Sequence, residues 1–148
     1  MQFKFIFDTI YVVLMVKTKV GPSKIHGIGL FADQFIPKGT MTWRFVPNFD
    51  LRINPDELLR LSEPARKLFW NYAYVDKYND HYILCFDDER FINHSENPNI
   101  IQRKRHSETE GVEIAACDID RGEELTANYY DFDKDAERKL KKMGVYSN

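Results

Sequence analysis

The sequence predicts a mostly β domain made of several small sheets, with short helices covering them. Short apolar segments bounded by Gly, Pro, Asn and Asp recur along the map, which is the pattern of small sheets and not of a helix bundle. One helical region interrupts them in the middle, and neither an internal repeat nor a low-complexity tract is present. With 148 residues, 43% of them apolar and 14% aromatic, the chain has material for one well-filled core and not for a second domain.

Taken in order, the first apolar run, Ile10 to Val16, follows Phe3, Phe5, Ile6 and Phe7, but Lys4 and Asp8 break it. It falls short of the roughly 20 residues of a membrane span. A single basic residue and no small-residue cleavage site make it a poor signal peptide. Residues 1–14 are expected to be an extension or extra strand that the fold can lose. Val12 to Val20 is strand-like, Leu30 to Gln34 follows a glycine turn, and Pro37-Lys38-Gly39 turns the chain into a further strand from Met41 to Phe45.

The helical region has a recognisable start. Asn54 is a good N-cap, Pro55 suits the first helical position, and Asp56 and Glu57 oppose the positive end of the helix dipole. Leu58, Leu59 and Leu61 are expected on its apolar face. A second start at Ser62 leads into Leu68, Phe69, Tyr72 and Ala73 at helical spacing, placed to cover a sheet. His81 to Phe86 then predicts a buried strand and Asp87-Asp88-Glu89 a polar turn. Ile100 to Arg105 and Gly111 to Cys117 predict a hairpin, and Arg121-Gly122 turns the chain into a strand from Glu124 to Tyr129. Asp133 to Met143 is acidic at its start, basic at its end and stopped by Gly144, as a last helix should be.

Charge and cysteine content exclude several classes. A formal charge of -2 from 21 basic and 23 acidic side chains gives no field that would draw the whole protein to nucleic acid or membrane. Arg103-Lys104-Arg105-His106, the one basic run, is better explained as a solvated hairpin tip balanced by Glu108 and Glu110 than as a phosphate-binding patch. Cys85 and Cys117 each sit in an apolar-alternating run, which suits buried thiols in a reducing compartment and neither a disulfide nor a metal site. An intracellular protein without a metal is therefore expected.

The chemistry concentrates in Arg90-Phe91-Ile92-Asn93-His94-Ser95-Glu96-Asn97-Pro98-Asn99. An amide, an imidazole, a hydroxyl and a Pro-Asn turn are poor core material, because each group buried without a partner costs about 1–3 kcal/mol. Asn97 to Asn99 is turn chemistry whatever the function. Upstream lies Lys24-Ile25-His26-Gly27-Ile28-Gly29-Leu30-Phe31-Ala32, where glycine lets the backbone approach a ligand closely. This is not a dinucleotide fingerprint, since the third glycine is missing and a strand follows. Downstream lies Gly122-Glu123-Glu124-Leu125-Thr126-Ala127-Asn128-Tyr129-Tyr130-Asp131-Phe132.

In this order and spacing, the three segments resemble the signature of the SET-domain protein lysine methyltransferases. The resemblance implies a SET-domain fold over 15–132, small sheets with a pseudo-knot in which the strand before the final tyrosine threads the loop around Asn93-His94. It implies S-adenosyl-L-methionine as cofactor, S-adenosyl-L-homocysteine as product and no metal. Lys24, His26, Gly27, Ile28 and Gly29 would meet its methionine part, with Lys24 attracting the carboxylate. Phe91, Asn93 and His94 would meet its adenine end.

Tyr129 becomes the expected catalytic residue, its phenol oxygen aimed at the methyl group, with Tyr74 as second hydroxyl. Tyr130 is expected to be packing. The partner implied is a lysine-bearing protein or peptide such as a histone tail, which the acids at 87–89 and Asp131, Asp133 and Asp135 would favour. Action on chromatin would place the chain in the nucleus, and the compact form resembles viral and bacterial relatives, for which a homodimer is in keeping.

Many relatives close the lysine channel with a trailing cysteine-rich zinc module, which these residues lack. The 133–148 segment, a helix and tail with Tyr146, is expected to act as the lid. Aromatic rings suit an aliphatic stem with a cationic head, and Tyr72, Tyr74, Tyr78, Tyr82, Phe132 and Tyr146 are the candidates. Ala127 and Gln102 stand where relatives often carry a ring that limits methylation, so a pocket for more than one methyl is expected. The alternative is a SET-shaped module that binds a lysine-bearing segment without turnover.

Overall fold

A computed structural model describes residues 14–144. Strands β1 (Thr18–Pro22) and β2 (Ile28–Ala32) form an antiparallel hairpin running from Thr18 opposite Ala32 to Pro22 opposite Ile28. Its turn holds itself together. The Ser23 hydroxyl accepts from the Ile25 and His26 amides, and Gly27 supplies the left-handed backbone at φ 48°. Strand β3 (Met41–Arg44) follows, with Leu14 bridging to Trp43 and the Met15 amide donating to Thr42 O. The expected extension, apart from Leu14, lies outside the described residues.

A small separate sheet comes next, formed by β4 (Leu51–Ile53), β5 (Tyr74–Val75) and β6 (Tyr82–Leu84) in the order β4-β6-β5. Between β4 and β5 lie α1 (Pro55–Leu59) and α2 (Glu63–Tyr72). Asn54 caps α1 as expected, its side chain accepting from the Glu57 amide while Glu57 returns the bond to the Asn54 amide.

The apolar faces differ from expectation. Leu58, Phe69 and Ala73 bury together against Ile53, Tyr82 and Leu84, whereas Leu59 and Leu68 are exposed and Tyr72 is half-exposed. Residues 69 and 73 share one stripe of α2 and 68 and 72 the next, and the helix meets the small sheet along the first stripe only. Phe86 is likewise exposed, so the strand expected through 86 is buried only at its centre, at Ile83 and Cys85. Cys117 is exposed, where a buried thiol had been expected, since it falls beyond the end of its strand.

The larger sheet takes its remaining strands from the second half of the chain. A 3-10 turn (Asp88–Phe91) leads into β7 (Asn93–His94), then come the hairpin β8 (Ile100–Lys104) and β9 (Gly111–Ala115), and finally β10 (Glu124–Ala127). The order is β1-β2-β10-β8-β9-β3, with β7 paired to β10. Ala127 pairs in parallel with His94 of β7 and with Ile100 of β8. β10 therefore runs between β7 and β8, and residues 95–99, which join those two strands, cross over it.

Asn99 fastens the crossing, accepting from the Thr126 amide and donating to Glu124 O, each at 2.8–2.9 Å. The Asn-Pro-Asn turn is thus a clamp on β10 as well as a turn. Leu30, Leu125, Ile100 and Trp43 lie in the core beneath, all essentially buried. The chain ends in α3 (Tyr129–Phe132) and α4 (Ala136–Lys142), the latter stopped by Gly144 at φ 74°. No helix among the described residues is long and apolar enough to cross a membrane.

Candidate active site

Threading β10 through the 93–100 loop brings three distant segments to one place. Asn93 is almost fully buried, and its Nδ2 donates to His26 O at 3.0 Å, Ile28 O at 3.1 Å and Glu124 Oε1 at 2.9 Å. The amide donors thus hold the glycine turn. Glu124 in turn accepts from the Ser23 hydroxyl at 2.7 Å, so one carboxylate ties the turn, β7 and β10 together.

Gly29 makes this possible. A Cβ there would stand 2.3 Å from Glu124 Oε1 and 3.0 Å from Ser23 Cβ. Gly29→Ala is therefore expected to push the carboxylate off both partners and lower stability by about 1–3 kcal/mol. Urea denaturation would measure this, and an unchanged midpoint would contradict it. Gly27 differs, because open space surrounds its Cβ position and only its positive φ demands glycine.

His94 and Tyr129 are coupled through the crossing. The Tyr129 amide donates to His94 Nδ1 at 3.2 Å, and their rings meet edge to face at 5.3 Å. An accepting Nδ1 requires the neutral imidazole, and burial lowers the His94 pKa in that direction against a small opposing pull from Glu96. Tyr129 does not end the strand, as expected, but opens α3, because the Asn128 side chain accepts from the Tyr130 amide and caps the turn. Its hydroxyl donates to Ile92 O at 2.7 Å. Burial, with Asp133, Glu124 and Glu89 nearby, pushes this phenol above its ordinary value, so it stays protonated.

A cleft of about 450 Å3 opens over these groups. Of the expected residues, His26, Gly27, Ile28, Phe91, Asn93, Tyr129, Tyr74 and Phe132 line it, and so does Tyr72. Tyr74 packs edge to face on Phe132 at 5.2 Å, and its buried hydroxyl has no hydrogen-bond partner among the described residues. From α4 and the residue after it come Lys139, Lys142 and Met143.

Other expected residues lie elsewhere. Lys24 is exposed on the turn. Gly29 and His94 stand behind the lining, Ala127 is in the core, and Gln102 lies over Gly111 on the β8–β9 hairpin. Tyr78 is exposed beneath the Lys104 ammonium, and Tyr82 packs against α2. Tyr146 is outside the described residues. At the hairpin, Glu108 pairs with Arg44 and the buried Glu110 with Arg52, both arginines outside the basic run these acids were expected to balance.

Two residues of the cleft escaped the sequence reading. Glu89, expected in a solvated turn, and Glu113, in the middle of β9, are each less than 5% exposed and both line the cleft. Burial pushes both carboxyls up, Glu113 to about 6 and Glu89 further; the charge of Glu113 adds to the rise of Glu89, while a hydrogen bond from Glu89 holds Glu113 down, so the pair keeps one proton at neutral pH. The one available signal was an acid between Val112 and Ile114 in an otherwise apolar strand.

A carboxyl raised above its unfolded value binds a proton in the folded chain that the unfolded chain has released. Stability is expected to fall as pH rises from about 4.5 through about 6, and Glu113→Gln to make that fall shallower. Denaturant melts across this range would show it, and parallel profiles for the two proteins would contradict it.

Comparison with known proteins gives a consistent answer. The family model described as the SET domain matches residues 27–130. The H3 lysine-4 specific histone-lysine N-methyltransferase of Schizosaccharomyces pombe is 32% identical over 123 residues, 74% of this chain and 12% of that protein. Polycomb Repressive Complex 2 of Chaetomium thermophilum bound to GSK126 superposes with a TM-score of 0.63 at 25% identity, covering 86% of this chain and 17% of that one. The same complex in an autoinhibited conformation bound to S-adenosylmethionine superposes with a TM-score of 0.62 at 23% identity, over 88% of this chain and 17% of that one. The described fold is that of these structures.

Proposed function

Because this chain belongs to the SET-domain family, we propose that it is a protein-lysine N-methyltransferase using S-adenosyl-L-methionine, with a lysine-bearing substrate such as a histone tail. The observation that carries this reading is the convergence of the 26–28 turn, Asn93 and the Tyr129 phenol on one cleft. A lysine-binding module without turnover would have no need of the first two.

The cleft fits the cofactor in size and chemistry. About 450 Å3 lies within the range of small-molecule sites. Its walls combine apolar rings with buried acids, which suits a ligand that is part apolar and part cationic. When bound, S-adenosyl-L-methionine supplies a methyl group on a sulfonium and leaves as S-adenosyl-L-homocysteine.

Asn93, with both amide protons committed, offers its Oδ1 as an acceptor, while the turn at Gly27 offers backbone groups and Phe91 a ring. Lys24, exposed on the same turn, is proposed to attract the ligand carboxylate. Tyr129, kept neutral and with its hydroxyl held by Ile92 O, would turn its oxygen lone pairs toward the methyl of a bound cofactor. Tyr74 and Phe132 wall in the aliphatic stem of the lysine, and Tyr74 presents a second hydroxyl. In-line displacement by a neutral amine gains mainly from positioning and from oxygen dipoles facing a partly positive methyl. No metal is required.

The α4 segment, whose Lys139 and Lys142 line the cleft, is proposed as the lid of the lysine channel. Residues 1–14 are proposed to be dispensable for the fold, although Leu14 touches β3. Incubation with tritium-labelled cofactor and either core histones or a whole lysate tests the reading. Label on protein is expected. Cofactor binding without any transfer would instead identify an interaction module.

A further inference from the structure

The Glu89–Glu113 pair has a cost and no structural use. Glu113 stands in the middle of β9, where an apolar side chain would be cheaper, and Glu89, from the 3-10 turn, lies within hydrogen-bonding reach of it on the same cleft wall. As charged groups, Glu89 Oε1 and Glu113 Oε2 are buried without a partner among the described residues. A proton held between them satisfies both and leaves the pair with a single negative charge.

The cations on the cleft wall are engaged elsewhere. Lys139 donates to Asp133 and to Ala73 O, Lys142 to Asn71 Oδ1, and Arg90 to Phe86 O while lying over the Phe91 ring. The pair's charge is thus left for a cation that enters from outside. Beside it the Tyr74 hydroxyl is buried and unpartnered in the same cleft.

We propose that Glu89 and Glu113 receive the incoming ammonium of the target lysine and take the proton it must shed before methyl transfer. This rests on the lysine methyltransferase reading above. The ammonium, R–NH3+, gives one proton to the singly protonated pair, after which each carboxyl holds one proton and neither is charged. The freed amine lone pair then forms the new bond to the methyl carbon as the carbon–sulfur bond breaks, giving R–NH2CH3+ and a neutral thioether.

Burial favours this transfer from both sides, since it lowers the ammonium pKa and raises the carboxyl pKa. The groups facing the pair act in the same sense. Asp87 and Asp50 add negative charge, and Tyr74, Cys85 and Tyr129 are themselves held neutral by burial. The Asp133–Lys139 pair on the far wall is internally neutralised.

Single-turnover methyl transfer measured across pH tests the assignment. Wild type is expected to lose activity only as pH falls below about 6, where the pair becomes doubly protonated. The variant carrying both Glu89→Gln and Glu113→Gln is expected to be at least about 10-fold slower at neutral pH and to recover toward about pH 10, as lysine deprotonates in solution. A variant profile of the same shape as wild type, at whatever rate, overturns the assignment and leaves the methyltransferase reading standing. No transfer by wild type at any pH overturns both.

Should the double variant fail to fold, Glu89→Gln alone serves, because Glu89 is the carboxyl raised further and Glu113, near 6, is mostly ionised at neutral pH. The infrared stretch of a protonated carboxyl at neutral pH is expected in wild type and diminished in that variant. An unchanged band would overturn the shared proton and the proposal with it.

Discussion

Asn93→Ala is expected to weaken S-adenosyl-L-methionine binding by about 100-fold or more, and to remove activity with it. The reason is geometric. The Asn93 amide is the donor that fixes His26 O and Ile28 O on one side and Glu124 on the other. Losing it frees the turn that forms one wall of the cleft and leaves two carbonyls and a carboxylate without that partner. At about 1–1.5 kcal/mol for each of two such bonds the loss comes to about 3 kcal/mol, or roughly two orders of magnitude. Asn93→Asp keeps the shape and supplies an acceptor where donors are needed, so it should be no better. Calorimetric titration with cofactor would check both, and affinities within about 10-fold of wild type would contradict the role.

The second large effect belongs to Tyr129→Phe. The ring keeps its packing against His94 and Phe132, so cofactor affinity should change by no more than a few fold. Only the hydroxyl and its bond to Ile92 O are lost. Removing one preorganised oxygen dipole from a transition state typically costs about 100-fold in kcat. The pair of variants would therefore separate the two proposed roles that the crossing joins, binding on Asn93 and turnover on Tyr129. Equal losses of affinity in both would show that Tyr129 acts through packing alone.

Local chemistry carried much of the fold into the sequence. The Asn54 cap, the turn at Gly27 and the β8–β9 hairpin depend on residues a few positions apart, and each was legible for that reason. The fate of Leu59, Leu68 and Tyr72 was not, because helical spacing shows that a face exists without showing which stripe meets a sheet. Asn93 stood out as a polar residue at a strand end. Its partners did not, since Glu124 lies 31 positions away and reaches it only because β10 threads the loop.

The acids were the hardest part to foresee. Glu89 sits in a run, Asp87-Asp88-Glu89, whose composition predicts solvent, and only the turn that follows carries its side chain inward. Glu113 alternates with apolar neighbours, which normally places an acid on the wet face of a strand. Here β9 lies between β8 and β3 with both faces covered, so the alternation does not lead to water.

The most direct test of the account is incubation of the wild-type chain and a lysine-bearing protein with cofactor carrying a deuterated methyl group, followed by tandem mass spectrometry of the digest. The account predicts the deuterated methyl on lysine Nζ, at a level that falls sharply in Tyr129→Phe while cofactor remains bound. Cofactor bound to the wild-type chain, with no labelled lysine in histones or lysate, would contradict it.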